Sequence, residues 1–226
     1  MVVCKISCTS RWRRAHWASS HFSWTILLPS TSSFSSVEGL LLLGGASERF
    51  GRDKRLEDVG GQPMYLRALS LLGSVCSHVN LSVSLDQEVL PADVGSAYHV
   101  HVVRDKRRVG PLGGMDAVWK DRGATQLVLA TDLPAVSGNT LERLVQTASE
   151  SPAEIIVTRA KHSRRIQPLC AVWKAQALSR LETYLDSGGR SVFGMMEAAE
   201  IACVDVADDE MININRPGDL DLLPRM

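Results

Sequence analysis

The chain has 226 residues, with 25 Lys and Arg against 25 Asp and Glu and a formal net charge of zero, a length that predicts one domain whose core needs no disulfide support. Residues 1 to 37 hold four of the bases and none of the acids, leaving 21 bases against 25 acids beyond them, a mild acidity that argues against a general nucleic-acid binder. The five cysteines are scattered without paired metal spacing, which fits a reducing, cytoplasmic setting, and no apolar run reaches membrane-spanning length.

Residues 1 to 37 are rich in Ser, Arg, Cys and Trp, with Trp12, Trp17 and Trp24 but no steady period, and are expected to be disordered or poorly packed. Arg11, Arg13 and Arg14 ahead of Phe22 to Leu28 suggest an export signal, yet serines and Pro29 break the apolar stretch below the usual length. A start codon assigned too far upstream is the hypothesis that fits better, and mass spectra of the natural protein containing peptides from before Val37 would refute it. The folded domain is expected over residues 38–226.

From Val37 onward strand and helix signals alternate, the pattern of an α/β layer fold with a mostly parallel sheet. The apolar run 38–43 leads into Gly44 and Gly45 as a buried parallel strand does where it meets a ligand loop. Arg49, Arg52, Lys54 and Arg55 follow, and Gln62 and Pro63 are expected to open a helix with proline in its first turn. Met64 to Val75 reads as that helix and His78 to Leu85 as the second strand; the signal is poor between Gln87 and Gly95. His99 to Val103 is a third strand ahead of the loop RDKRRVGPLGG, and Met115 to Arg122 the next helix. Gln126 to Ala130 is an apolar strand running into Thr131, Asp132, Leu133 and Pro134. Ser137 can cap a helix whose Leu141, Leu144, Val145 and Ala148 fall at i, i+3, i+4 and i+7. Glu154 to Thr158 and Gln167 to Trp173 read as strands around the basic loop RAKHSRR. One helix is then predicted to carry Leu178, Leu181 and Leu185 on one face, with Gly188 past its end. A helix over Ser191 to Ala199, a last strand over Ile201 to Val206 and a short helix started by Pro217 complete the pattern.

In an open α/β sheet a ligand lies beyond the carboxyl ends of the strands. Gly44 with Gly45, Asp105 and Asp132 fall at such ends, so three distant segments are expected on one rim. A loop of glycines and cations there suits a phosphate-bearing ligand. It is not a Walker loop, because five residues separate Gly45 from Gly51 and Arg52 follows, nor a dinucleotide fingerprint. Asp132 reads either as a ligand for Mg²⁺, which takes hard carboxylate oxygen, or as a turn or cap residue beside Pro134. Lys54 reads either as a ligand-binding cation or as part of a solvated charge run. His78, His99, His101 and His162 are too dispersed for a metal site, and Cys76 and Cys170, in apolar company, read as core.

The stretch LLLGGASERFGRDK, with GGQP after it, resembles the entry motif of the molybdenum cofactor guanylyltransferases and their nucleotidyltransferase relatives. Four further stretches match in order, GPLGGMDA, ATDLP, RIQPLCAVW and NINRPGDL, so the resemblance runs from Val37 to the chain's end. It implies a three-layer, Rossmann-like nucleotidyltransferase fold with Mg²⁺ as cofactor and Asp132, in ATDLP, as its ligand. By the same resemblance Arg49, Lys54 and Asp132 are catalytic, and Leu42, Leu43, Gly44, Gly45, Lys54, Ser84, Asp105, Gly110 and Asp132 line the nucleotide. Asp105 could accept from guanine N1 and N2 or from ribose hydroxyls, or pair with Lys106 or Arg107. Gln167, Asn213 and Asn215 are amides able to hold a pterin's ring edge or phosphate, or else turn amides bonded to backbone. The chain departs from the family pattern at Leu43, Thr131, Arg216 and Gly218, where alanine, cysteine, threonine and glutamate are more usual.

The activity so implied is transfer of GMP from GTP to the terminal phosphate of Mo-molybdopterin, giving the guanine dinucleotide cofactor and pyrophosphate. The expected partners are GTP, Mo-molybdopterin and the molybdoenzymes or chaperones that receive the cofactor, with no nucleic acid and no membrane. The alternatives are a transferase of the same fold using CTP or another phosphorylated acceptor, and a non-catalytic module that delivers a nucleotide or pterin. Each of the transferase readings requires Gly44, Lys54 and Asp132 to meet on one side of the molecule.

Overall fold

The computed structural model describes residues 3–6, 24–27, 37–44, 50–85 and 99–224. Strands β1 (Val3–Ile6) and β2 (Trp24–Leu27) pair antiparallel with each other and form a sheet of their own. That pairing was not expected for residues 1 to 37, although WTIL is made of good strand formers. The main domain is built on a seven-stranded sheet: β3 (Val37–Leu42), β6 (Val79–Ser84), β7 (Val100–Asp105), β8 (Thr125–Ala130), β9 (Ile155–Ala160), β10 (Ile166–Trp173) and β11 (Ile201–Val206). They lie in the order β11-β9-β10-β8-β3-β6-β7. Only β10 runs antiparallel to its neighbours, so the sheet is mostly parallel as expected.

A parallel sheet covered on both faces needs apolar side chains at successive positions, and the run Leu40 to Leu43 supplies them alternately. Leu41 and Leu43 pack with α1 (Met64–Val75) and α3 (Gly138–Glu150) through Leu69, Leu72, Leu141 and Leu144. Leu40 and Leu42 face α2 (Pro111–Arg122) through Leu112, Met115 and Val118. The short helices α4 (Ala175–Leu178), α5 (Leu181–Asp186) and α6 (Val192–Met196) cover the same face. This makes the three layers. A smaller cluster of Phe50, Val59, Met64 and Ile214 joins the first loop to the C-terminal tail.

Several boundaries differ from the sequence expectation. Gln62 and Pro63 form β5, paired with β4 (Asp58–Val59), and the helix begins after Pro63. Strand β7 continues to Asp105 because it pairs with β6 as far as Ser84. Helix α2 starts at Pro111, four residues before Met115, for a reason taken up with the site. The helix expected around Leu178 to Leu185 is two helices, since Ser179 Oγ bonds back to the Gln176 carbonyl (2.8 Å) and competes with the helical ladder. The apolar face survives the break, and Gly188 ends α5 with φ 92°. The weak stretch 87–95 lies outside the described residues. Cys76 and Cys170 are buried as expected, their thiols pushed up to about 12 by burial. Among the described residues no helix is long and apolar enough to cross a membrane.

At the amino end of β3, Glu38 takes the Arg122 guanidinium (2.7 Å) and the Asn80 amide (2.8 Å), tying the sheet to the last residue of α2. The Arg122 hydrogen bond, against an opposing burial effect, holds the Glu38 carboxyl below the usual carboxylate range. A depressed folded value contributes stability above the unfolded value, about 4.3, and loses it as the pH falls through the folded value. Glu38→Gln should therefore cost about 2 kcal/mol at pH 7 and progressively less on acidification. Equal losses at pH 7 and pH 3 in denaturant titrations would rule out the ionised pair as the cause.

Candidate active site

Strands β8, β3, β6 and β7 run parallel, so their carboxyl ends share a rim. Leu42 stands opposite Ala130 on one side and Ser82 on the other; Leu43 and Gly44 therefore leave the sheet beside Thr131 and Asp132. Ser84 and Asp105 pair as the last residues of β6 and β7. Leu43 is buried and its N–H donates to the Ser82 carbonyl (2.9 Å), whereas Gly44 is exposed. Gly44 has no left-handed backbone, and among the described residues a Cβ there would meet Ser84 Oγ at an ordinary 3.4 Å. What its missing side chain provides is a bare stretch of exposed backbone at the rim. Gly45 and Arg49 lie outside the described residues.

The first loop's described cations take separate directions. Arg52, 63% exposed, pairs outward with Glu57. Asp53 caps the 3₁₀ turn Lys54–Leu56 by accepting from the Arg55 N–H (3.1 Å), and its carboxylate also takes the Arg55 guanidinium (Nε 2.8 Å). Burial works to raise the Asp53 carboxyl, but the Arg55 hydrogen bond and charge hold it below the usual range. Fixed by this turn, Lys54 points into the rim: only 18% exposed, its Nζ lies 3.6 Å from Asp132 Oδ2. The solvated-run reading of Lys54 is thereby excluded.

Asp132 is not a helix cap. Helix α3 is capped by Ser137, which accepts from the Thr140 N–H (3.2 Å), while Glu210 accepts from the Ser137 N–H (2.9 Å). Asp132 is a carboxylate 23% exposed, pushed above the usual carboxylate range by burial, with the Lys54 charge opposing. A sunken, hard oxygen donor of this kind fits one coordination position of Mg²⁺. Among the described residues no group of three or more His, Cys, Asp or Glu could hold a metal. Mg²⁺ held by Asp132 would therefore fill its other positions with phosphate oxygens and water, its usual habit.

The C-terminal tail crosses this rim as a strap. The Ile214 N–H donates to the Asp132 carbonyl (2.8 Å), and the Ile214 carbonyl (3.2 Å) and Asn215 Oδ1 (3.4 Å) accept from Lys54 Nζ. Gln167 Nε2 donates to Asn213 Oδ1. Gln167 comes three residues before Cys170, which pairs with Leu129, and so lies where β8 gives way to Asp132. The amides thus divide: Asn213 joins Gln167, while Asn215 belongs with Lys54. The tail's helix start, where Arg216 and Gly218 depart from the family pattern, is held by Asp219 Oδ2, which accepts from the Asn215 and Arg216 N–H groups (both 2.8 Å).

The stretch GPLGGMDA is a helix start rather than a loop, and its glycines do different work. Gly110, exposed, precedes Pro111 at φ 73°, ψ −154°, a conformation suited to glycine. A Cβ on Gly113 would stand 2.6 Å from Asp105 Oδ2, and one on Gly114 would collide with Ser82 Oγ, so α2 can lie on the strand ends only without side chains there. Asp105 is buried and accepts from the N–H groups of Arg107 (2.8 Å) and Arg108 (3.1 Å), the latter at φ 53°. It bonds backbone N–H groups, holding the turn that precedes α2. Arg107 then anchors this turn to Asp116 of α2 (2.9 Å) and Asp186 of α5 (2.7 Å). Gly113→Ala should cost about 1–3 kcal/mol through overpacking; an unaltered melting temperature would refute that account.

Sequence reasoning missed Ile214, Asp53 and Asp219. Ile214 acts through its backbone N–H and carbonyl, which carry no signal in residue type. The Asp53 and Asp219 caps were open to detection, since acids that precede or enter a short helix commonly bond its first N–H groups.

The model of the MobA-like NTP transferase domain matches residues 39–201. The chain is 27% identical over 188 residues to a probable molybdenum cofactor guanylyltransferase of Rhodopirellula baltica, covering 80% of this chain and 89% of that protein. It is 30% identical over 201 residues to a probable molybdenum cofactor guanylyltransferase of Chloroflexus aggregans, covering 83% and 93%. Among solved structures it is similar to molybdopterin-guanine dinucleotide biosynthesis protein A of Archaeoglobus fulgidus, with TM-score 0.63, 20% identity and coverage of 81% and 95%. At that identity the last likeness speaks for the fold alone.

Proposed function

This chain belongs to the MobA-like NTP transferase family, and from that premise we propose that it transfers GMP from GTP to the terminal phosphate of Mo-molybdopterin. The observation that carries this reading is the single constellation on the rim. Lys54 and Asp132 stand 3.6 Å apart, and the strap 213–215 links them to Gln167. A phosphate-binding cation and a metal-binding carboxylate thereby adjoin a pair of amides suited to a pterin.

In the proposed reaction a phosphate oxygen of the acceptor attacks the α-phosphorus of GTP in line. The new P–O bond forms as the bond to the β-phosphate's bridging oxygen breaks, and pyrophosphate leaves. The nucleophile is anionic at neutral pH, so no general base is required. Asp132 would hold Mg²⁺, which would supply neutralisation of phosphate charge. Lys54 and Arg49 steady the triphosphate and the charge that develops on pyrophosphate. Gly44 and Gly45 let the nucleotide lie against the backbone beside Leu42 and Leu43. Ser84 and the turn held by Asp105, ending at Gly110, border the base, while Gln167 and Asn213 orient the acceptor. Molybdoenzymes or their chaperones would receive the product.

The test is incubation with molybdopterin, Mg²⁺ and each of GTP, CTP and UTP. Pyrophosphate and a guanine dinucleotide are expected with GTP. Preference for CTP would move the chain to another substrate pair within the family, and binding without pyrophosphate release would make it a delivery module.

A further inference from the structure

Lys54 and Asp132 are arranged so that two cations compete for one carboxylate. The Lys54 ammonium lies 3.6 Å from Asp132 Oδ2 and is steadied there by the Ile214 carbonyl and Asn215 Oδ1. The strap that provides these acceptors is itself fixed. Ile214 is buried among Phe50, Val59 and Met64 and its N–H is bonded to the Asp132 carbonyl, while Asp219 holds the Asn215 N–H. A divalent cation on Asp132 would repel an ammonium at this distance, in a site too sunken for water to screen the repulsion fully. We infer that Lys54 is the resident counter-ion of Asp132, kept in place by Asn215, and that a divalent cation reaches Asp132 only as triphosphate oxygens draw the ammonium away. The inference rests on the reading of Asp132 as the metal ligand and adds an order to it: metal and nucleotide bind as one.

Asn215 is then a positioning residue of the nucleotide half rather than an acceptor contact. Its amide oxygen is a neutral acceptor, strong enough to orient the ammonium and weak enough to yield it to phosphate. Lysine suits such an exchange better than arginine, being a compact charge on a flexible stem.

The experiment follows Mn²⁺ binding to the full chain by electron paramagnetic resonance, with and without GTP and with no acceptor present. Lys54→Met should bind Mn²⁺ alone about tenfold more tightly than the wild type while binding GTP more weakly. Asn215→Ala should shift both affinities in the same directions, by about threefold. Opposite signs for metal and nucleotide are what general damage to the site does not produce, since that weakens both. Where Lys54→Met fails to fold, Lys54→Gln retains a donor for the Ile214 carbonyl and serves the same comparison. Mn²⁺ affinity that stays constant or falls in the Lys54 variant, with Asp132 still required, overturns the counter-ion inference alone. An Asp132→Asn protein that binds Mn²⁺ with GTP as the wild type does overturns the underlying reading of the site as well.

Discussion

Asp132→Asn is expected to slow nucleotidyl transfer by about a thousandfold while the protein melts no lower than the wild type at pH 7. Both halves follow from where the carboxylate sits. Burial pushes its pKa above the usual carboxylate range, so the charged form is disfavoured in the folded chain. A raised folded value makes the group's contribution most favourable at low pH, and stability is lost as the pH rises from the unfolded value through the folded one. At neutral pH the ionised group is thus a cost that Lys54, opposite in charge and 3.6 Å away, only partly offsets. Asparagine keeps the shape and removes that cost, and it removes the anionic oxygen that Mg²⁺ requires. Calorimetry beside a pyrophosphate assay checks the pair of outcomes. A variant that melts well below the wild type would show Asp132 to be structural, and one that turns over normally would remove it from the chemistry.

Lys54→Ala is expected to lower the rate about a hundredfold and to raise the GTP concentration needed for half-saturation about tenfold. The residue has two uses for its charge, holding the triphosphate before reaction and meeting the charge that grows on pyrophosphate during it, so both constants should move. Lys54→Arg should recover little. Among the described residues the ammonium sits near oxygens of Asp132, Ile214 and Asn215, at 3.2–3.6 Å, a setting for a point charge rather than a planar fork. Steady-state kinetics with varied GTP at saturating acceptor decides it: a change in half-saturation alone would limit Lys54 to binding, and no change in either would remove it from the site.

Much of the fold could be read directly because its signals are local. The continuous apolar run through Leu40 to Leu43 belongs to a strand buried on both faces, and the spacing of Leu141, Leu144, Val145 and Ala148 to a helix with one buried stripe. Boundaries failed where a tertiary contact overrode local preference. GPLGG reads as a loop because glycine disfavours helices, yet Gly113 and Gly114 lie inside α2 since only glycine lets that helix rest on Asp105 and Ser82. Nor does residue type alone say that the Asp105 carboxylate accepts from the Arg107 and Arg108 N–H groups and so anchors the turn before α2.

Residue type and order were enough, then, to establish the layered α/β plan, the family resemblance, and the presence of Lys54, Asp132, Gln167, Asn213 and Asn215 as groups able to handle phosphate, metal and amide-bearing ligands. Which of these groups face one another was decided only by folding. Parallel pairing brings Gly44 and Asp132 to one rim although almost ninety residues of chain, about 87 by their numbering, lie between them, and the tail returns to set Asn215 on Lys54 and Asn213 on Gln167. Sequence patterns report how each segment buries its own apolar face. Contacts between segments depend on sheet order and on backbone groups such as the Ile214 carbonyl, which every residue type carries alike.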